Sequence, residues 1–288
     1  MTRKTSRKRK SLKNISRSIR FLGVNAAGLN SKMLSFKKVL NDLKPSVFFI
    51  EESKMKSPGN IRLENYIIFE KLRTKNENGG GLAIGCLPEL KPAWVRESKE
   101  PIEALSIDIF VKNLKIRCCV GYGCQENDNI DKKHAFWEYL DNEVIEARKS
   151  GSALVIHMDG NLWAGKEIVP NDPRPKNKNG QLFEEFLNRN PNLNVVNSLD
   201  LCQGLITRRR SRNGIIEESI LDFFIVCDRI LPYVKSMVID EEKAHVLTNY
   251  GKVKKDGKAT DSDHATEYMD LALEIITEKP QRTEIWKK

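Results

Sequence analysis

The chain has 288 residues, 40% of them hydrophobic and 31% charged, which is enough to bury a full core in one large domain or two small ones. No apolar run approaches the ~20 residues of a membrane span; the longest, such as ILDFFIVC at 220–227, are strand-sized. The formal net charge of +10 is concentrated in residues 1–20, which hold nine Lys or Arg and no acid, leaving 40 bases against 39 acids elsewhere.

A block this basic is expected to form a disordered tail over residues 1–18. It reads as a nuclear-import signal, as a nucleic-acid-binding arm, or as a solvated tail with no partner. No apolar segment follows it to make a secretory signal, so an intracellular and nuclear protein is expected. Two further basic clusters, RRRSR at 208–212 and KVKKDGK at 252–258, sit at strand ends or loops where phosphate contacts are easy to make. The six cysteines, Cys86, Cys118, Cys119, Cys124, Cys202 and Cys227, contain no C-x-x-C pair and read as reduced thiols.

In chain order, IRFLGVNA (19–26) reads as a strand and SFKKVLNDLKPS (35–46) as a helix stopping at Pro45. VFFIEESK (47–54), YIIFEKL (66–72) and GGLAIGCL (80–87) read as strands. ALSIDIF and KIRCCVGYG (104–123) form a hairpin pattern. Residues 131–149 have the spacing of an amphipathic helix, with Phe136, Leu140, Val144 and Ile145 on one face. ALVIHMDG (153–160) is a strand, and a Pro- and Lys-rich loop (165–179) leads to the helix QLFEEFLNRN. LNVVNS (193–198), GLITRRR (204–210), EESILDFFIV (217–226) and YVKSMVID (233–240) are strands; DSDHATEYMDLALEII (261–276) reads as a cap and a final helix. This alternation predicts one α/β domain over 19–277: a four-layer α/β/β/α sandwich, two mostly antiparallel sheets face to face with helices outside. Residues 278–288 are expected to be a polar tail or linker.

The chemistry gathers at strand ends. Asp159 and Asn161 close an apolar strand, and alternation projects residues two apart to the same side. A carboxylate and an amide side by side can handle a water and a phosphate oxygen; Asp-Gly-Asn is equally a plain turn sequence. Glu51 and Glu52 follow VFFI, one toward the core and one toward solvent, and a carboxylate there suits a hard divalent cation or is simply a polar strand end. Asp222 lies inside SILDFFIV and needs a partner. The four histidines are His134, His157, His245 and His264. His134 looks like surface, His157 shares a face with Asp159 as a second choice, and His264 follows Asp263 in DSDH, which alone would serve as a helix cap.

In order, these features resemble the endonuclease/exonuclease/phosphatase family, the fold of deoxyribonuclease I, and most of all the endonuclease domains of LINE-type retrotransposons. NAAGLNSK (25–32), FIEESK (49–54), VGYG (120–123), MDGN (158–161), LITRRR with SILDFFIV (205–226) and SDHATEYMDL (262–271) carry the likeness, over about residues 19–277. The resemblance implies a DNA endonuclease that nicks one strand and leaves a 3′-hydroxyl. It implies Glu52 as ligand to Mg²⁺ (or Mn²⁺), with Asn25 and Asp263 nearby. Asp159 would position or deprotonate the attacking water, and Asn161 and Tyr122 would contact the scissile phosphate. His264, oriented by Asp222, would stabilise the phosphorane or move a proton. Arg208, Arg209, Arg210 and Arg212 are candidate DNA contacts, and a longer parent polyprotein with a reverse-transcriptase domain is a further expectation.

Some positions depart from the pattern. Met158 stands where a glycine is usual and Gly160 where an aromatic is; Gly123, Cys124 and Gln125 replace Ala-Pro-Asn; Ala27 stands where abasic-site enzymes carry an acid. The last disfavours abasic-site repair. Other phosphoesterases of this fold (phosphoinositide phosphatases, sphingomyelinases, deadenylases) and a non-catalytic nucleic-acid binder are the alternatives.

Overall fold

The computed structural model describes residues 15–73, 80–212, 214–253 and 259–277. The basic tail through residue 14, residues 254–258 of KVKKDGK, and the C-terminal stretch 278–288 lie outside the described residues. The strands are β1 (Ile15–Asn25), β2 (Val47–Glu51), β3 (Ile67–Lys71), β4 (Leu82–Cys86), β5 (Ala93–Glu97), β6 (Glu103–Val111), β7 (Leu114–Tyr122) and β8 (Ala153–Asp159). They continue as β9 (Leu193–Val195), β10 (Cys202–Gln203), β11 (Arg208–Arg212), β12 (Ile215–Ser219), β13 (Asp222–Cys227), β14 (Val234–Ile239), β15 (Thr248–Val253), β16 (Ala259–Asp261) and β17 (Glu267–Thr277). Three α-helices accompany them: α1 (Met33–Leu43), α2 (Ile130–Lys149) and α3 (Lys178–Arg189).

Alternation along β1 shows what drives the layering. Ile19 and Phe21 join the core between the sheets, while Leu22 and Val24 join a second core under α1, and all four are buried. A strand apolar on both faces needs cover on both. The seven-stranded sheet has the order β10–β14–β17–β1–β2–β4–β3 and the six-stranded sheet β5–β6–β7–β8–β13–β9. α1 covers the first through Phe36, Val39 and Leu40 against Phe48 and Ile50. On the second, Trp137 of α2 stacks on Phe183 of α3, and Phe183 packs on Phe223 of β13. Asn129 and Asn177 cap α2 and α3 through their side-chain oxygens. The four-layer α/β/β/α order read from the sequence is what forms, with β1–β2, β7–β8 and β10–β14 as the parallel pairs. Cys118 and Cys119 fall on opposite faces of β7, and both are buried because both faces are covered.

Several details differ from the reading of the sequence. The expected final helix is instead β17, paired antiparallel with β1 on one side and β14 on the other. Its residues include good helix formers, but two strand partners override that propensity. Met269 and Leu271 go to the inter-sheet core, while Asp270 turns outward to Arg20. The run 217–226 breaks into β12 and β13 because Thr207 Oγ1 takes the amides of Leu221 and Asp222 (2.8 and 3.1 Å). Ile145 is 43% exposed rather than part of the buried face of α2; Trp137 and Ala147 fill that role. β1 starts at Ile15, inside the segment expected to be tail. The short strand β5 and the β15–β16 ribbon were not anticipated.

Candidate active site

The two sheets bring several strand ends to one edge. β1 and β2 end at Asn25 and Glu51, β7 and β8 end at Tyr122 and Asp159, and β13 begins there because Asp222 is the register partner of Asp159. A cavity of about 780 Å³ opens at this edge, lined by Glu52, Tyr122, Asp159, Asn161, Arg208, Arg210, Asp263 and His264.

His264 Nδ1 lies 2.9 Å from Asp222 Oδ2, and its Nε2 faces Asp159 Oδ2 at 4.0 Å. Burial alone would make this imidazole less basic, but Asp222 outweighs it and pushes the pKa up to about 10. Asp159 is 1% exposed. Burial, then the facing Asp222, push its pKa up to about 8 against the pull of His264. It accepts from Asn25 Nδ2 at 2.6 Å and from the Asn161 amide at 3.0 Å. Asn25 is itself buried behind the cavity, between Asp159 and Glu52.

Glu52 sits just past β2 in a left-handed backbone conformation (φ 48°). Its Oε1 accepts from Tyr122 Oη at 2.9 Å and its Oε2 pairs with Lys54 Nζ at 2.9 Å. Burial alone would raise its pKa, but Lys54, Tyr122 and Asn25 together hold it below the usual carboxylate range. Burial, with Asp159 and Glu52 nearby, drives the Tyr122 phenol well up, so it stays a hydrogen-bond donor. Gln125 Nε2 donates to Tyr122 Oη at 2.9 Å, so the longer amide still reaches the tyrosine.

Asn161 reaches the site by a route other than strand alternation. It lies beyond β8 with φ 47°, and its Nδ2 donates to Gly123 O at 3.0 Å. Gly123 in turn has no room for a side chain: a Cβ there would stand 2.2 Å from Gly160 O. Met158 points to the other face and is fully buried, so a glycine is not needed at that position. Asp263 lines the cavity, but Arg208 Nε holds its carboxylate at 2.9 Å. Burial would raise the Asp263 pKa; His264 and Arg208 overcome this and lower it. Arg210 is exposed at the rim. Arg209 turns away from the cavity to Glu218 (2.7 Å), and the Arg212 side chain lies outside the described residues. His134 is exposed.

Two side chains that support the candidate site were not singled out from the sequence. Lys54 was inside the quoted FIEESK, but its pairing with Glu52 depends on left-handed turns at both residues. Thr207 lies inside LITRRR, but its role, to hold the backbone amides of Leu221 and Asp222, is set by the fold rather than by the motif.

The donors also bear on a metal. Asp159, Asp222 and His264 offer ligand atoms all within 4.8 Å of one another. His264 Nδ1 is already engaged by Asp222, which makes those two a hydrogen-bonded pair. The cavity-facing carboxylates Glu52, Asp159 and Asp263 supply hard oxygens, a donor set that fits a hard divalent cation.

No family model matches the sequence, and no curated protein matches it. Solved structures do. The endonuclease domain of TRAS1, a telomere-specific non-LTR retrotransposon, superposes with a TM-score of 0.61 at 15% identity, covering 88% of this chain and 99% of that one. The 3′-5′ exonuclease NExo from Neisseria meningitidis gives 0.64 at 16% identity over the same shares. The catalytic domain of Xenopus laevis APE2 gives 0.65 at 13% identity, covering 91% of this chain and 94% of that one. The chain thus has the deoxyribonuclease I-like fold of the endonuclease/exonuclease/phosphatase family.

Proposed function

We propose that this protein is a divalent-metal-dependent phosphodiesterase that nicks one strand of DNA, leaving a 3′-hydroxyl. The observation that carries the reading is the Asp222–His264 pair at 2.9 Å, with the free Nε2 turned to Asp159 across an acid-lined cavity. Asp159, held by Asn25 Nδ2 and the Asn161 amide at the cavity wall, is placed to take a proton from the attacking water. The water oxygen bonds to phosphorus as the bond from phosphorus to the 3′-oxygen breaks. His264, charged and held by Asp222, stabilises the phosphoryl oxygens and supplies the proton that the 3′-oxygen needs. Tyr122 and Asn161 edge the cavity where the phosphate would lie. Glu52, with Asn25 behind it and Asp263 opposite, would hold Mg²⁺ or Mn²⁺. The ion would neutralise charge on the phosphate and the leaving oxygen.

DNA as substrate is supported by Arg208 and Arg210 at the rim, on the β11–β12 ribbon whose tip exposes Ile215 and Ile216. The basic tail and the retrotransposon likeness favour a nuclear role within a longer polyprotein. Supercoiled plasmid with Mg²⁺ is expected to relax to the open circle, and EDTA is expected to prevent this. Asp159→Ala and His264→Ala should each slow nicking by ~10²–10⁴-fold. A wild type that leaves plasmid intact but hydrolyses a phosphoinositide or a sphingolipid sinks the assignment. So does one that binds DNA equally with and without Mg²⁺ and never cuts it.

A further inference from the structure

His157 takes no part in this chemistry. It lies 1% exposed in the middle of the sandwich, two residues before Asp159 and on the same face of β8. Its ring crosses the gap between the sheets. Nδ1 lies 2.6 Å from Glu51 Oε1 on β2, and Nε2 lies 3.2 Å from Glu267 Oε2 on β17. β1 runs between β2 and β17, so the imidazole spans it. It does so over Gly23, where a Cβ would stand 2.0 Å from Nε2; any side chain there closes the passage. Phe49 stacks on the ring with centroids 5.7 Å apart, and Phe224 lies 4.5 Å away.

Each ring nitrogen meets a carboxylate, so the ring carries both protons and donates twice. Ionic groups buried this deeply are a poor source of stability compared with apolar filling. Glu51 Oε2 and Glu267 Oε1 have no hydrogen-bond partner at all. What the arrangement supplies is direction: two bonds fix the spacing of three strands across two sheets. Each member of the chain has a site residue close by in sequence, on its strand or just beyond the strand's end. Glu52 follows Glu51, Asp159 lies two residues after His157, and His264 lies three before Glu267.

We propose that Glu51, His157 and Glu267 form a positioning clamp that sets the spacing of Glu52, Asp159 and His264, so that metal affinity and turnover depend on hydrogen bonds one layer beneath the site. The turnover half rests on the nuclease reading; the metal half rests only on the carboxylates at the edge.

The test uses two multiple variants of the full chain. In Glu51→Gln/Glu267→Gln a neutral imidazole still donates to one amide and accepts from the other, so the clamp survives. Adding His157→Phe removes both bonds and leaves no buried charge unpaired, which lets the protein fold. Circular dichroism verifies folding, calorimetry measures Mn²⁺ binding, and plasmid nicking gives kcat and KM. The clamp predicts near-wild-type Mn²⁺ affinity and kcat for the double variant. The triple variant should lose ~10–100-fold in both, with KM for plasmid unchanged. A folded triple variant that binds Mn²⁺ like the wild type overturns the proposal, as does a wild type that binds no Mn²⁺. A wild type inert on plasmid sinks the nuclease reading instead, and the Mn²⁺ titrations of the two variants still decide the clamp.

Discussion

In the proposed reaction, His264 acts through a partner that contributes no reacting atom. Asp222 accepts from Nδ1, which leaves Nε2 as the nitrogen that faces Asp159. Asp222→Asn keeps the shape but can donate to Nδ1 and so favour the wrong tautomer. It should lower kcat ~10²–10⁴-fold with little change in KM, read from initial nicking rates over a plasmid series. Gly123 is a second sensitive point. Its missing Cβ would stand 2.2 Å from Gly160 O, so Gly123→Ala must shift the turn that carries Asn161. A loss of ~1–3 kcal/mol in urea unfolding is expected, together with slower nicking; unchanged stability would mean that the turn has slack. At this scale the sequence was informative where a residue's type and chain order sufficed. Glu52, Asp159, Asp222 and His264 do come together. It was less informative where backbone geometry decides. Asn161 arrives through φ 47° rather than through strand alternation, and Arg209 pairs with Glu218 instead of facing the cavity.

Elements were legible where burial and periodicity agreed. β2, β4 and β8 are apolar runs with both faces covered, and the helices at 33–43, 130–149 and 178–189 follow their apolar spacing. β17 was misread because Glu, Met, Leu and Ala favour helices locally, whereas its strand form comes from β1 and β14, more than 240 and about 30 residues away in sequence. The break between β12 and β13 was hidden for the same reason, since Thr207 imposes it from outside the run. Thr207 is fully buried and its hydroxyl serves two amides. Thr207→Val keeps the volume and leaves those amides unpaired, at a cost of ~1–3 kcal/mol for each unsatisfied group. Because the second amide belongs to Asp222, chemical denaturation and kcat should both fall. A stable variant with reduced kcat, or an active one with reduced stability, would separate the two roles.

Across the whole molecule, the sandwich places its hydrophobic core, then an ionic layer, then the cavity along one axis between the sheets. That stacking carries a pH signature. Burial works against charge on His157, yet Glu51 and Glu267 lift its pKa to about 10, and Asp222 does the same for His264. Burial lifts Glu267 to about 7 and Asp159 to about 8. Folded-state values above the unfolded ones mean that the folded protein holds these protons more tightly. For the histidines the stabilisation is complete below about pH 6.5 and is lost as pH rises toward 10. The two carboxylates lose theirs at lower pH, in the same direction. In EDTA, the melting temperature should therefore fall steadily from pH 6 to 10, with a shallower fall in His264→Gln; a melting temperature that rises over this range would contradict the assignment of charges. The central claim concerns the bond that breaks, and the end groups of the product test it most directly. Plasmid opened by the wild type in Mg²⁺ should be resealed by DNA ligase without any end repair, because the proposed cleavage leaves a 3′-hydroxyl and a 5′-phosphate. Open circles that ligase cannot close until a phosphatase has cleared the 3′ end would contradict the account.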